Sequence, residues 1–382
     1  MRRGARVIAV VAAVLVALAS LYSLRPLWLS ERIPVAQVVA LKGVLAAVLV
    51  GLGLAIALAA GLVVHARSRR LRVNSADEPG ARRRTARMTT AVTVVLVGGV
   101  VTALSGVAHG LALADRGTSG GLGPVSDDPP TADSFTVLTL NTLGGASSPS
   151  DVVAHAVATG ADVLALPETP AELAVRISDG LEQRLGEGFT SYTDGSGPIG
   201  STSLVVADAL GPYEQLTGAT TGGFGRVHLD PVSDDPDQPA LVAAHPIPPV
   251  SGNMAAWRQE NLAILGTCQR AARPTVIAGD LNMTLDHGTL VGIDDPGGRC
   301  HAAGVDAGIG GIATWPTSWP TWAGAAIDHV LVAGGLRGVS GTVDEVGGSD
   351  HRAVVVEVRL VTAAETSVPR VPGGEGSDAR SR

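Results

Sequence analysis

The chain has 382 residues, 46% of them hydrophobic and only 16% charged, with a mean hydropathy of +0.30, which excludes a disordered chain and is high for a purely soluble one. The net charge of −7 divides sharply: residues 1–124 carry +11 (15 basic against 4 acidic side chains) and residues 125–382 carry −18 (13 against 31). Two cysteines exclude a disulfide-dense mini-scaffold and a zinc site built from four cysteines.

Residues 7–24 form an uncharged apolar run behind Arg2, Arg3 and Arg6, the way a signal peptide also begins. A second apolar stretch at about 36–64, interrupted only by Lys42, and a third at about 90–114 point instead to a membrane anchor over residues 1–115. Each run is long enough to cross ~30 Å of hydrocarbon as a helix rising ~1.5 Å per residue, so three transmembrane helices are expected. Between the second and third, residues 67–87 hold eight Arg against Asp77 and Glu78. The positive-inside rule puts this loop and the N-terminus in the cytoplasm, and three spans then leave everything after residue 115 outside. The expectation is a multi-pass protein of the cell membrane with an extracytoplasmic C-terminal domain. Contact with anionic lipid is the expected role of the Arg-rich loop, a nucleic-acid patch the alternative.

Residues 116–134 are mostly Gly, Ser, Pro and Asp and read as a linker, and 362–382 as a disordered tail. Between them, 135–361 has the length of one domain. Apolar, β-branched runs bounded by Gly, Pro and Asp predict strands at 135–141, 162–168, 201–208, 240–246, 274–282, 327–333 and 351–360. Helices fit at 150–159, 170–185 and 254–270, which makes the domain a layered α/β structure.

Polar side chains gather at the ends of these strands: Asn141, Glu168, His245, Asp280 with Asn282, Asp328, and Asp350 with His351. A single Asp or Asn at a strand end is ordinarily a turn or cap residue. Carboxylate, amide and imidazole groups recurring on six of seven strands suit a hard cation, Mg²⁺ or Mn²⁺, and offer nothing to a soft metal.

The motifs LTLNTLGG, DVLALPET, VAAHPIPP, AGDLNMT, AIDHVLV and GSDHRAVVVEV, in this order and spacing, resemble those of the endonuclease/exonuclease/phosphatase superfamily, the DNase I-like proteins. The resemblance covers about 134–361 and leaves the apolar half unmatched. It implies a two-sheet β-sandwich flanked by helices, a four-layer α/β fold. It also implies roles: Glu168 as principal metal ligand with Asn141 and Asp350 completing the metal site, Asp280 orienting or deprotonating water, Asn282 holding a phosphate oxygen, His351 on the scissile phosphate with Asp328 behind it, and His245 near the phosphate. Phosphodiester hydrolysis independently needs a positioned water, neutralised oxygens and a proton carrier.

Arg226 and Arg258 are candidates to grip phosphate, with surface ion pairing as the bland alternative. Trp315, Trp319 and Trp322 either wall the substrate pocket or pack a Pro-rich loop on the core. His329 alternates to the other face of its strand and is not expected in the site; His155, His228, His287 and His301 match no motif. Cys268 and Cys300 would close a loop of about 30 residues if bridged, or stand as two separate thiols. The expected function is a membrane-anchored, divalent-metal-dependent phosphoesterase (phosphodiesterase, nuclease or phosphatase); the alternative is an inactive binding module of the same fold. The expected partners are the lipid bilayer and a phosphoester substrate: nucleic acid, phospholipid headgroup or lipid-linked phosphate. No obligate protein partner is evident. The acidity of the C-terminal half argues against duplex binding.

Overall fold

The computed structural model describes residues 29–73, 79–122, 131, 133–216, 223–291, 293 and 298–361. The first apolar run, 7–24, and the tail, 362–382, lie outside the described residues.

The C-terminal half is built from two six-stranded sheets. The first runs β11-β12-β1-β2-β4-β3, with β1 Ser134–Thr139, β2 Val163–Pro167, β3 Phe189–Gly195, β4 Ser201–Ala207, β11 Leu336–Glu345 and β12 Arg352–Leu360. The second runs β5-β6-β7-β8-β10-β9, with β5 Tyr213–Gln215, β6 Arg226–Pro231, β7 Ala240–Ala244, β8 Thr275–Asp280, β9 Cys300–Ala302 and β10 Asp328–Ala333. Each sheet has a parallel pair at its centre, β1 with β2 and β7 with β8, and antiparallel neighbours outside it. Alternating side chains such as Val137, Ala165, Val227, Leu241, Val276 and Val354 meet between the sheets and form the central core.

Helices cover both outer faces. Numbered from the start of the described chain, α4 (Pro149–Thr159) and α5 (Ala171–Leu185) pack Val152, Val153, Ile177 and Leu181 on the first sheet. Ser148 caps α4 by accepting the Asp151 N–H, and Gly160 ends it in the left-handed conformation. On the second sheet lies α6 (Met254–Gln269), whose Trp257 is fully buried among Leu281, Leu285 and Leu290. The result is the α/β/β/α layering expected from the motifs. A disulfide joins Cys268 near the end of α6 to Cys300 at the start of β9, with 5.5 Å between Cα atoms.

Ahead of the sandwich stand α1 (Val35–Ala40), α2 (Lys42–Val73) and α3 (Pro79–Asp115). The last two form an antiparallel hairpin held by close backbone approach. A Cβ on Gly53 would lie 2.4 Å from the Ala103 nitrogen, and one on Gly106 2.6 Å from the Ala46 carbonyl. Among the described residues two segments are long and apolar enough to cross a membrane, Lys42–Ala66 and Val92–Asp115, with only 17% and 28% of their most apolar windows buried. Three such helices are therefore not found among the described residues.

The stretch 36–64 is not one helix. The chain breaks at Leu41, and α1 turns away so that Ala36 enters the core beside Trp257 and Leu290, while the His287 imidazole meets the Ala36 carbonyl at 3.1 Å. Lys42 is thus not a charge inside an apolar span but the first residue of α2. Its ammonium is buried against Asp286 at 2.6 Å, and Arg116, just past α3, binds the same carboxylate at 2.8 and 2.9 Å. Both hairpin ends are therefore clasped to the loop that follows β8. The segment read as a linker is likewise docked at its start: Arg116 and Gly117 carbonyls accept the Gly310 and Gly311 N–H groups.

Candidate active site

The first sheet delivers Asn141 and Glu168 just beyond β1 and β2, and the second delivers His245 and Asp280 at the ends of β7 and β8. Antiparallel pairing brings Asp328, the first residue of β10, directly opposite Asp280, and sets His351 at the start of β12 on the same edge. Six positions distant in sequence thereby converge at one end of the sandwich.

Asp280, Asp328 and His351 are all buried and offer ligand atoms within 4.8 Å of one another. His351 Nδ1 is 2.9 Å from Asp328 Oδ2, and its Nε2 is 3.7 Å from Asp280 Oδ2. His245 Nε2 lies 3.4 Å from that same Asp280 oxygen. Burial pushes the Asp280 carboxyl up, but His351, His245 and the Asn282 N–H outweigh it and hold it below the ordinary carboxylate range. Burial, with Asp280 as a like charge, raises Asp328. Burial works against an imidazolium at His351, yet the facing carboxylates Asp328 and Asp280 overcome it and raise the group well above 6.5.

Asn141 joins the two sheets: its amide N–H₂ donates to Glu168 Oε1 at 3.1 Å and to Asp280 Oδ2 at 3.2 Å. Its carbonyl oxygen is taken by the Leu143 N–H at 2.9 Å. That turn orients the amide, which bridges the carboxylates delivered by the two sheets. Glu168 is half-buried and sits at φ +54°, Asn282 at φ +48°, both in the left-handed region that non-glycine residues seldom occupy. Such strain persists where surrounding contacts over-determine the backbone, and here it aims two polar side chains into the cleft. The Glu168 carbonyl is held by Thr142 Oγ1. Asn282 has its N–H on Asp280 Oδ1, its carbonyl on the Trp257 indole N–H and its amide on the Pro246 carbonyl at 3.0 Å.

Asp350 lies at the rim, its Oδ2 accepting the Trp315 indole N–H at 2.9 Å and its Oδ1 4.0 Å from His351 Nε2. Among the described residues Asp350 Oδ1, Asp328 Oδ1 and His245 Nδ1 are buried atoms without a hydrogen-bond partner. Four carboxylates face two imidazoles here, so the donor set is rich in hard oxygen and in excess negative charge, and it fits a divalent cation.

Several supporting residues had no clear sequence signal. Ser349 Oγ donates to the Asn141 carbonyl and accepts the His351 N–H, and Thr314 Oγ1 accepts the Ile327 and Asp328 N–H groups. Ser349 sits inside the SDH motif and could have been found there; nothing in the sequence marks Thr314. Arg226 is on β6 near Asp194 and Glu260, alongside His245 and not in the carboxylate cluster. Arg258 is not brought to the cluster: its Nε faces Glu31 at 4.0 Å, an ion-pair position. His329 points away as its alternation requires, 2.8 Å from the Met283 carbonyl, with burial lowering it to about 4.

A two-sheet sandwich thus gathers a buried His–Asp pair, a second carboxylate and a strained Glu at one edge. The family model described as "Endonuclease/Exonuclease/phosphatase family" matches residues 138–351, more than half of the chain, and the chain belongs to that family. Members of the superfamily are in general hydrolases acting on phosphoesters. Similar solved structures include a D. rerio TDP2 humanised by 14 mutations, 12% identical, with a TM-score of 0.45 over 59% of this chain and 99% of that one. An endonuclease/exonuclease/phosphatase from Beutenbergia cavernae is 18% identical, with a TM-score of 0.45 over 60% and 72% of the two chains. The human Nocturnin catalytic domain with bound sulfate anion is 15% identical, with a TM-score of 0.43 over 62% and 100%. No curated protein sequence matches the chain.

Proposed function

We propose that the protein is a membrane-anchored, divalent-metal-dependent phosphoesterase whose catalytic domain lies outside the cytoplasm. The observation that carries the chemistry is the meeting of Asp280, Asp328 and His351 within 4.8 Å, joined through Asn141 to Glu168. Asp280, kept anionic by its imidazole neighbours, orients the attacking water and accepts its proton. His351, held through Nδ1 by Asp328, faces the scissile phosphate and carries positive charge to its oxygens. Asn282 spends one amide hydrogen on Pro246 and has the other for a phosphate oxygen. Glu168 and Asp350 would hold Mg²⁺ or Mn²⁺, with Asn141 steadying Glu168 through its amide; such an ion supplies Lewis-acid charge and a template for the phosphate.

The anchor reading rests on the two unburied apolar helices. Their glycine-lined contact is the kind that serves where lipid supplies no hydrophobic drive between helices. Because both hairpin ends are clasped to Asp286, residues 29–41 and the catalytic domain share one side, and the Arg-rich connection belongs to the other. The positive-inside rule makes that other side cytoplasmic. A disulfide at Cys268–Cys300 suits an oxidising compartment.

Because residues 29–43 and 116–117 are knit into the domain, the test uses the full chain in detergent or nanodiscs. Hydrolysis of bis(p-nitrophenyl) phosphate is expected with Mg²⁺, lost in EDTA and restored by added metal. Undiminished turnover in EDTA would refute the metal reading. Alkaline phosphatase fused at the C-terminus is expected to be active, and a silent fusion would refute the topology.

A further inference from the structure

The loop from Thr314 to Gly324 carries three tryptophans that the core does not absorb: Trp315, Trp319 and Trp322 are 39%, 43% and 59% exposed. Their exposure does not come from looseness. Arg352 reaches from β12 to bind the carbonyls of Thr317 and Trp319, and the Thr317 N–H donates to the Asp350 carbonyl. A rigid loop that spends three indoles on the surface marks an interaction site.

The two ends of this loop touch different things. At one end the Trp315 N–H holds Asp350, and its ring lies 6.4 Å from the His351 ring. At the other, the Trp322 carbonyl abuts Gly43 so closely that a Cβ there would meet it at 1.7 Å. Gly43 lies in the first turn of α2, next to Lys42, where charge gives way to the long apolar helix. Trp315 pairs with Ala325, three residues beyond Trp322, so chain length alone keeps the catalytic rim within roughly 15 Å of the helix start. The same junction exposes Leu29, Ile33, Val38 and Val250, with Gln37 bonded to the Pro249 carbonyl. The clasp of Lys42 and Arg116 on Asp286 prevents the domain from swinging clear of the helix ends.

Tryptophan is enriched at the headgroup level of bilayers, with one edge apolar and the other wet. We infer that the 314–324 loop lies in the outer headgroup layer, seating the catalytic cleft on the bilayer so that its substrate is a lipid-borne phosphoester. The inference rests on the membrane-anchored phosphoesterase reading and names the substrate class of that site. The occupant of the tryptophan surface is the bilayer because the surface is continuous with the helices that enter it.

The test uses the full chain reconstituted into phosphatidylcholine vesicles brominated high on the acyl chains. In a Trp28→Phe background, which removes the indole beside the first apolar run, emission is expected to be quenched, and most of that quenching lost when Trp319→Ser and Trp322→Ser are added. With Mg²⁺, hydrolysis of vesicle phosphatidylcholine, phosphatidylglycerol or phosphatidic acid is expected to fall about tenfold or more in that variant. Turnover of bis(p-nitrophenyl) phosphate is expected to stay at the wild-type rate, which also reports an intact fold. Equal effects on lipid and soluble substrates, faster cleavage of a DNA oligonucleotide than of any vesicle lipid, or no bromolipid quenching in the Trp28→Phe background would each overturn the inference. No turnover of any substrate would sink the phosphoesterase reading itself, and the quenching arm would still decide the seating of the loop.

Discussion

Glu168 and Asn282 are the two site residues that take up left-handed backbone conformations. A non-glycine residue in that region costs about 1–3 kcal/mol, so the fold spends stability to aim these side chains. Asp280, by contrast, is kept anionic against its burial by His351, His245 and the Asn282 N–H. Glu168→Gln, Asp280→Asn and His351→Ala are each expected to lower Mg²⁺-dependent turnover about 10²–10³-fold while far-UV circular dichroism stays at the wild-type signal. Near wild-type rates for all three would refute the assignment. At this scale the sequence already marks the polar residues that the fold brings together, because a carboxylate or imidazole at a strand end is visible in the primary structure. It does not reveal that Asn141 joins Glu168 to Asp280, since that depends on strand ends of two sheets meeting.

At the scale of elements, the site exists because strand ends from two sheets meet. The seven strands expected from the sequence all form, as do the three helices in the same half. The strands missed are β3, β5, β6, β9 and β11. β5 and β9 are three residues each, and β3 and β11 are rich in Thr, Ser, Gly and Asp, so their extended state comes from neighbours and not from their own pattern. Gly279 shows how tightly the central strands approach. With φ at +152°, a Cβ there would lie 1.9 Å from the Ala244 carbonyl, forcing β7 and β8 apart beside His245 and Asp280. Gly279→Ala is expected to lower the unfolding free energy by about 1–3 kcal/mol and to depress turnover as well, both measured on the same preparation by thermal unfolding and by assay. An unchanged melting temperature would show that the backbone yields there at no cost.

At the scale of the whole molecule, the helical hairpin and the sandwich are locked by Asp286, and that lock is pH-sensitive. Burial pushes this carboxyl up, but Arg116 and Lys42 outweigh it and hold it at about 2, below the ordinary 3.8. A carboxylate depressed on folding contributes its full stability above its unfolded value, and that contribution is lost as pH falls from 3.8 toward 2. Asp286→Asn leaves the buried Lys42 and the part-buried Arg116 without their charge partner and is expected to cost about 3–5 kcal/mol at neutral pH. Melting curves of variant and wild type in detergent should draw together as pH falls through that window; a constant gap would refute the ion-pair account. Reducing Cys268–Cys300 is expected to cost roughly 3–4 kcal/mol by chain entropy without abolishing turnover, since neither sulfur touches the cleft. Equal unfolding midpoints with and without reductant would show that the bridge contributes no stability.

The primary structure by itself determined the family, the order of the motifs, most of the strands and the division into an apolar basic half and an acidic half that carries the motifs. These are local properties: periodicity, composition and residue type are carried by each segment alone. Only the tertiary structure decided where Lys42 belongs, that Ala36 enters the core of the sandwich, that Arg258 faces Glu31, and that Trp322 meets the start of α2 while Trp315 meets Asp350. Each of these is a meeting of groups far apart in sequence. Lys42 reads as a charge within an apolar run until the fold supplies, 244 residues later, the buried carboxylate that makes it the end of one.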